Sequence, residues 1–360
     1  MPHLLLALSG HGYGHLAQCA PVVNALRERI PQLQLTVASS LPRTVLEGHL
    51  APGITRIAVD LDPVLQMRSA WEVDVPASRQ VFAGFHRDWE AGIRADIGLL
   101  QRVGPDLVLG DIPYRIFQAA ADLDIPAVAL CSLNWAAVHA AYTDTGAASR
   151  GIREQMLSAY RQARLFLAPQ PALAMPELDN CRTIGPIART GTSRRGALRS
   201  LLSLPSGSRL VLVALGGIPS ALPMEHWPHI EHVVWLFSGE SDPARADCIN
   251  IEGLPVAYID VLASVDAILT KPGYGTYTEA VCNGVPLLTL ARPDWPETPG
   301  LNAWARRHGC LEEISPAEFR TGRFTRALET LWQQGSPPPP APAGIEQAVA
   351  VLAGYLRAGT

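Results

Sequence analysis

The sequence predicts an α/β protein of two doubly wound domains, each a parallel sheet with helices on its faces. Length is the first reason: 360 residues exceed one typical domain of about 100–150 residues. Alternation is the second, because short apolar runs take turns with stretches of helical periodicity along nearly the whole chain. The third is a pair of glycine turns, at 10–14 and 273–275, each standing between an apolar run and a helical pattern.

Residues 4–8 read as the first strand, running into Ser9-Gly10-His11-Gly12-Tyr13-Gly14-His15. Leu16, Cys19, Val22, Val23, Leu26 and Ile30 follow at helical spacing, with Pro21 expected to kink that helix or mark where its regular part begins. Residues 33–38 and 55–59 are the next two strands. The glycines only half fit Gly-x-Gly-x-x-Gly, and the second strand ends in Ser39-Ser40 without a ribose-binding acid, so a dinucleotide is disfavoured. Residues 62–90 read as a long connection carrying Trp71, Phe82, Phe85 and Trp89, with helix resuming to 101. Strand 106–109 ends in Gly110-Asp111, helix 115–123 leads to strand 127–130, and Ser132-Leu133-Asn134-Trp135 comes next. A helix with Ile152, Met156, Leu157 and Tyr160 on one face precedes strand 165–168, which closes a first domain of residues 1–168.

Residues 169–207, rich in Pro, Arg, Gly and Ser, read as the interdomain connection. The second domain, 208–334, opens with strand 210–214 and the turn Leu215-Gly216-Gly217. It continues with strand 233–237, a short helix closed by 262–265, strand 267–270, helix 276–283 ended by Gly284, strand 285–290 and a ligand loop to 302. A proline-rich linker at 335–344 precedes a C-terminal helix at 345–360, expected to pack back on the first domain.

A net charge of −4 shows no basic excess for a nucleic-acid partner. Six cysteines lie scattered without a Cys-x-x-Cys pair or zinc-ligand spacing, as expected of reduced thiols. The first residues lack the basic run of a secretory leader, and no apolar run reaches the ~18 residues of a membrane span. A soluble cytoplasmic protein is expected. Peripheral membrane contact stays open, although Arg194, Arg195 and Arg199 read as a solvated linker face.

The chemistry concentrates at 270–279. A glycine turn that delivers a helix start at the carboxyl end of a parallel strand makes an anion site, because first-turn N–H groups lack intrahelical acceptors. Lys271 adds a full charge, Thr276 a hydroxyl and Glu279 an acceptor for sugar hydroxyls. The anion this suits best is the diphosphate of a nucleotide sugar. Gly216 and Gly217 either line the phosphates or only turn the chain. Asp60-Leu61-Asp62 and Asp122-Leu123-Asp124 match the Asp-x-Asp of metal-dependent transferases, but read as solvated charges.

Two β/α halves, each with a glycine turn, resemble the GT-B fold of nucleotide-sugar glycosyltransferases over nearly the whole chain. Residues 270–279 resemble the donor signature of plant small-molecule glucosyltransferases and of the bacterial lipid-intermediate GlcNAc transferase. Closer still is the glycosyltransferase-like N-terminal half of plant arabinokinases, at Gly10 to His15, 106–111, Asn134-Trp135 through Tyr142, and 271–299. The resemblance implies two Rossmann-like domains facing across a cleft. It implies that Lys271, Gly273, Tyr274, Gly275 and Thr276 hold the diphosphate and that Glu279 holds the ribose. Asp294 and Glu297 fall where donor-sugar hydroxyls are held. Tyr258 stands in the stretch that contacts the base, without the tryptophan and glutamine of the plant enzymes. His15 falls at the acceptor base and Asp111 at its orienting partner, with His11 and Trp135 at the acceptor cleft. The implied activity is transfer of a sugar from a nucleotide diphosphate sugar to an acceptor hydroxyl, with inversion and with neither metal nor cofactor. A nucleotide-sugar 2-epimerase and a binding module without transfer activity are the alternatives.

Overall fold

The computed structural model describes residues 1–68, 72–143, 146–205, 207–216, 222–238 and 245–358. Gly217 and Trp71 lie outside them. The chain divides into two units, Met1–Ile187 with Ala343–Thr360, and Ala188–Pro342.

The first unit holds β1 (His3–Leu8), β2 (Gln34–Ala38), β3 (Ile54–Ile57), β4 (Leu107–Asp111), β5 (Ala127–Leu130), β6 (Leu165–Pro169) and β7 (Cys181–Ile184). They pair in the order β3-β2-β1-β4-β5-β6-β7, parallel throughout. Central strands covered on both faces need continuous apolar runs, and Leu4, Leu5, Leu6 and Leu8 supply one at no more than 1% exposure. The order reverses between β1 and β4, where the chain leaves the sheet to opposite sides and opens a crevice at the strand ends. A Cβ at Gly10 would crowd the Ser40 hydroxyl, which would have to rotate aside.

Several expectations are corrected. The stretch 169–207 is not only a connection, because Cys181–Ile184 adds an edge strand to the first sheet. The expected loop 62–90 contains the helix Val75–Arg87, started by Asp74, whose side chain accepts from the Ala77 N–H at 3.1 Å, and by a proline in the first turn. Pro21 lies inside the helix Gly14–Arg29 and does not mark its start. The C-terminal helix Gly344–Ala358 packs on the helix Gly14–Arg29.

The second unit holds β8 (Arg209–Ala214), β9 (Val233–Phe237), β10 (Cys248–Asn250), β11 (Ala267–Thr270), β12 (Leu287–Leu290) and β13 (Leu311–Ile314). Their order is β10-β9-β8-β11-β12-β13, again all parallel, with the reversal between β8 and β11. Leu212, Leu236, Ile268, Tyr277, Val281 and Leu287 form the core beneath it. The helix after β11 is Tyr274–Cys282, two residues earlier than expected, and the second half of the expected ligand loop is the helix Thr298–His308. Among the described residues no helix is long and apolar enough to cross a membrane.

Candidate functional site

At the reversal point of the first sheet, three neighbouring strands deliver polar groups to one place. His15 stands in the first turn of the helix after β1, Asp111 is the last residue of β4, and Cys131 follows β5. His15 Nδ1 lies 2.8 Å from Asp111 Oδ1. Asp111 is fully buried and His15 is 9% exposed. Burial pushes the Asp111 carboxyl up from its ordinary range, while His15 and the Cys131 thiol pull it back. With the carboxylate ionised, Nδ1–H donates to it and Nε2 is left as the basic nitrogen, the arrangement of a general base with a fixed tautomer. Cys131 Sγ is 3.7 Å from Nδ1. One ligand atom from each of His15, Asp111 and Cys131 lies within 4.8 Å of the others, so this set can hold a thiophilic divalent ion. Such an ion would take the place of the Nδ1 proton and disable the pair.

Trp135 is corrected from cleft wall to buried support. It is 1% exposed, with the rings of His11, His15 and Phe82 at 5.6, 6.2 and 5.9 Å between centroids. Its indole N–H donates to Asp62 Oδ2 at 2.6 Å. Asp62 was expected to be solvated with Asp60, yet it is 7% exposed. Burial pushes its carboxyl up to about 6, against the Trp135 N–H, the Ser9 side chain and His15. Asp60, Asp122 and Asp124 are exposed, as a solvated reading requires. His11 is half-buried against Trp135. Cys131 was given no site role from the sequence, and its position immediately past an apolar strand was the signal available.

At the reversal point of the second sheet the groups are cationic. Gly216 lies two residues past β8, Lys271 directly past β11 and Arg292 two residues past β12, and these strands are neighbours. Gly216 has φ +87°, a left-handed conformation, and a Cβ there would lie 3.6 Å from Lys271 Cε and Nζ. The lysine side chain therefore crosses the Gly216 turn. Desolvation, Arg292 and, in the opposite sense, Glu297 set its ammonium down to about 8. Gly273 caps the helix whose first turn is Tyr274, Gly275 and Thr276, so the helix start opens beside Lys271.

Two of the expected sugar-binding carboxylates already have protein partners. Glu297, placed by resemblance on the donor sugar, is 6% exposed, accepts from Trp295 Nε1 at 3.0 Å and serves as a countercharge to Lys271. Glu279, placed on the ribose, accepts from Arg189 Nε at 2.6 Å. Tyr258 shares that corner and is 37% exposed; the partial desolvation of its phenol and the Glu279 carboxylate push its ionisation upward. Asp294 is exposed. Arg292 and Arg189 were missed, because a lone arginine after a strand or in a linker carries no spacing signal.

Two all-parallel sheets, each reversing its strand order once with polar groups gathered at the carboxyl ends, are the two Rossmann-like halves of a GT-B fold. No family model matches the chain. It is 25% identical to L-arabinokinase of Arabidopsis thaliana over 333 residues, 91% of this chain and 32% of the relative. The chain thus spans about a third of the length of that relative. It is 22% identical over 284 residues to an uncharacterized glycosyltransferase of Methanopyrus kandleri, 74% of this chain and 80% of the other. Among solved structures, a UDP-glucosyltransferase from Polygonum tinctorium superposes with a TM-score of 0.62 at 16% identity, over 99% of this chain and 98% of that one. Medicago truncatula UGT71G1 complexed with UDP-glucose gives 0.60 at 12%, over 97% and 93%. UDP-GlcNAc 2-epimerase from Methanocaldococcus jannaschii gives 0.55 at 13%, over 98% and 99%.

Proposed function

We propose that the protein is an inverting, metal-independent glycosyltransferase that moves a sugar from a nucleoside diphosphate sugar to an acceptor hydroxyl. The observation that carries this reading is the division of chemistry between the two reversal points: a buried histidine–carboxylate pair on one sheet, a cationic turn with a helix start on the other. The Medicago neighbour bound to UDP-glucose supports a nucleotide sugar as donor. His15 Nε2 takes the acceptor proton, and the acceptor oxygen bonds to the anomeric carbon as the bond from that carbon to the diphosphate breaks. The electron pair leaves with the diphosphate, where Lys271 and the first turn of the helix Tyr274–Cys282 meet the new charge. One displacement inverts the centre. Glu279 exchanges its arginine partner for ribose hydroxyls, Tyr258 contacts the base, and Asp294 reaches the donor sugar. A cytoplasmic setting suits the unbridged cysteines.

Product analysis with a panel of nucleoside diphosphate sugars tests this. Glycosylated acceptor plus nucleoside diphosphate is expected. Free epimerised sugar plus nucleoside diphosphate would replace the reading with the 2-epimerase one, which the Methanocaldococcus neighbour supports. Tight binding without turnover would mark a binding module.

Turnover is expected to persist in EDTA, since lysine and helix N–H groups supply the positive field that a metal otherwise would. Loss of activity in chelator, restored by magnesium or manganese, would overturn the metal-free mechanism.

Donor binding is also expected to take up protons above pH 8. The Lys271 ammonium titrates near 8 in the free protein, and a bound anion raises that value, so affinity falls as pH rises through it. Calorimetry in buffers of different ionisation heat measures the uptake; equal heats at pH 8.5 would remove Lys271 from the anion site.

A further inference from the structure

We propose that Arg292 is the second cation of the donor site and, with Lys271, selects a diphosphate over a monophosphate, an inference that rests on the donor reading above. The two side chains come from the ends of adjacent parallel strands, β11 and β12, whose last paired residues are Thr270 and Thr289. Arg292 is 5% exposed. Its guanidinium sits close enough to Lys271 to loosen the ammonium's hold on its proton. Like charges held together away from water repel strongly, because the medium that would screen them is excluded. Glu297 is a carboxylate that partly offsets this repulsion at Lys271.

The surroundings hold the guanidinium in place. Arg292 Cζ lies 4.5 Å from the centroid of the Trp295 ring, and Glu297 accepts the Trp295 indole N–H at 3.0 Å. Stacking on the indole fixes the plane of the guanidinium, and the carboxylate fixes the indole. Arg292, Trp295 and Glu297 thus form one unit in a short segment past β12, the strand next to β11, which Lys271 follows. A monophosphate can satisfy one cation. Two phosphates in a row give the ammonium one group and the planar fork of the guanidinium the other, a geometry a single ammonium cannot copy. When the glycosidic bond breaks, the added negative charge falls on the phosphate that carried the sugar, and both cations take a share of it.

Calorimetry with UDP and UMP tests this, with ADP, GDP and dTDP as parallel probes against the choice of base. Wild type is expected to bind a nucleoside diphosphate at least tenfold more tightly than its monophosphate. Arg292→Gln should weaken diphosphate binding about tenfold or more and leave the monophosphate within about threefold, so that the preference collapses. Thermal melting of each variant reports folding. Should Arg292→Gln not fold, Arg292→Lys keeps the charge above Trp295 and is expected to lose part of the preference. A folded Arg292→Gln, or Arg292→Lys in its place, that keeps the wild-type preference overturns the inference while leaving the donor reading intact. Wild type that binds none of the diphosphates overturns both.

Discussion

His15→Ala is expected to lower turnover by about 10²-fold or more while leaving donor binding nearly unchanged. The reason is chemical: the imidazole belongs to the first unit and is assigned to the acceptor proton, whereas the anion site belongs to the second. Removing it also leaves Asp111 buried without its partner. A buried carboxylate that loses its partner takes up a proton or destabilises the fold, so thermal melting belongs beside the assay. His15→Gln is the better control, because its amide can still donate to Asp111 without acting as a base. Asp111→Asn should reduce turnover less than loss of the base, since it disturbs the tautomer and keeps the imidazole. Losses from His15 and Asp111 should not add, as both act on one proton transfer. Folded variants that turn over like wild type on a proven acceptor would make the pair structural.

Lys271→Ala is expected to weaken nucleoside diphosphate binding by about 10–100-fold, the loss of a charge-assisted contact worth about 1.5–3 kcal/mol. The lost turnover should exceed the lost affinity, because negative charge on the diphosphate grows as the glycosidic bond breaks. Lys271→Arg should retain part of the binding, since the charge survives while the geometry changes. Titration with the cognate nucleoside diphosphate decides the matter, and unchanged affinity in a folded Lys271→Ala would remove the lysine from the donor site.

Legibility followed hydrophobicity. Strands buried on both faces, such as His3–Leu8 and Ala267–Thr270, need unbroken apolar runs and stood out. Of the edge strands, Ile54–Ile57 was legible and others were not. Cys181–Ile184 buries only Ile184, and Cys248–Asn250 has three residues, so neither carries a run or a clean alternation. The helix Val75–Arg87 hid behind Asp74-Val75-Pro76, which reads as a breaker although a capping acid followed by an early proline is also a helix start. Its buried positions, Ser78, Phe82 and His86, share one face at a spacing of four but are mostly polar, so periodicity in apolar residues could not reveal it.

The sequence by itself determined where strands hand over to helices, which turns require glycine, and which charged residues stand at strand ends. Lys271, His15 and Asp111 were legible because each lies against a turn or a strand terminus, and Glu279 because it stands one turn into the helix that follows the glycine turn. Only the tertiary structure decided which of them meet. His15 and Asp111 are 96 residues apart and touch because β1 and β4 are neighbours at the reversal of the sheet. Asp62 meets Trp135 across 73 residues, and Arg189 meets Glu279 across 90. Arg292 draws its meaning from Lys271 on the next strand. The physical reason is that local periodicity encodes what each segment buries, whereas the partner of a buried charge is chosen by strand order, a property of the whole sheet.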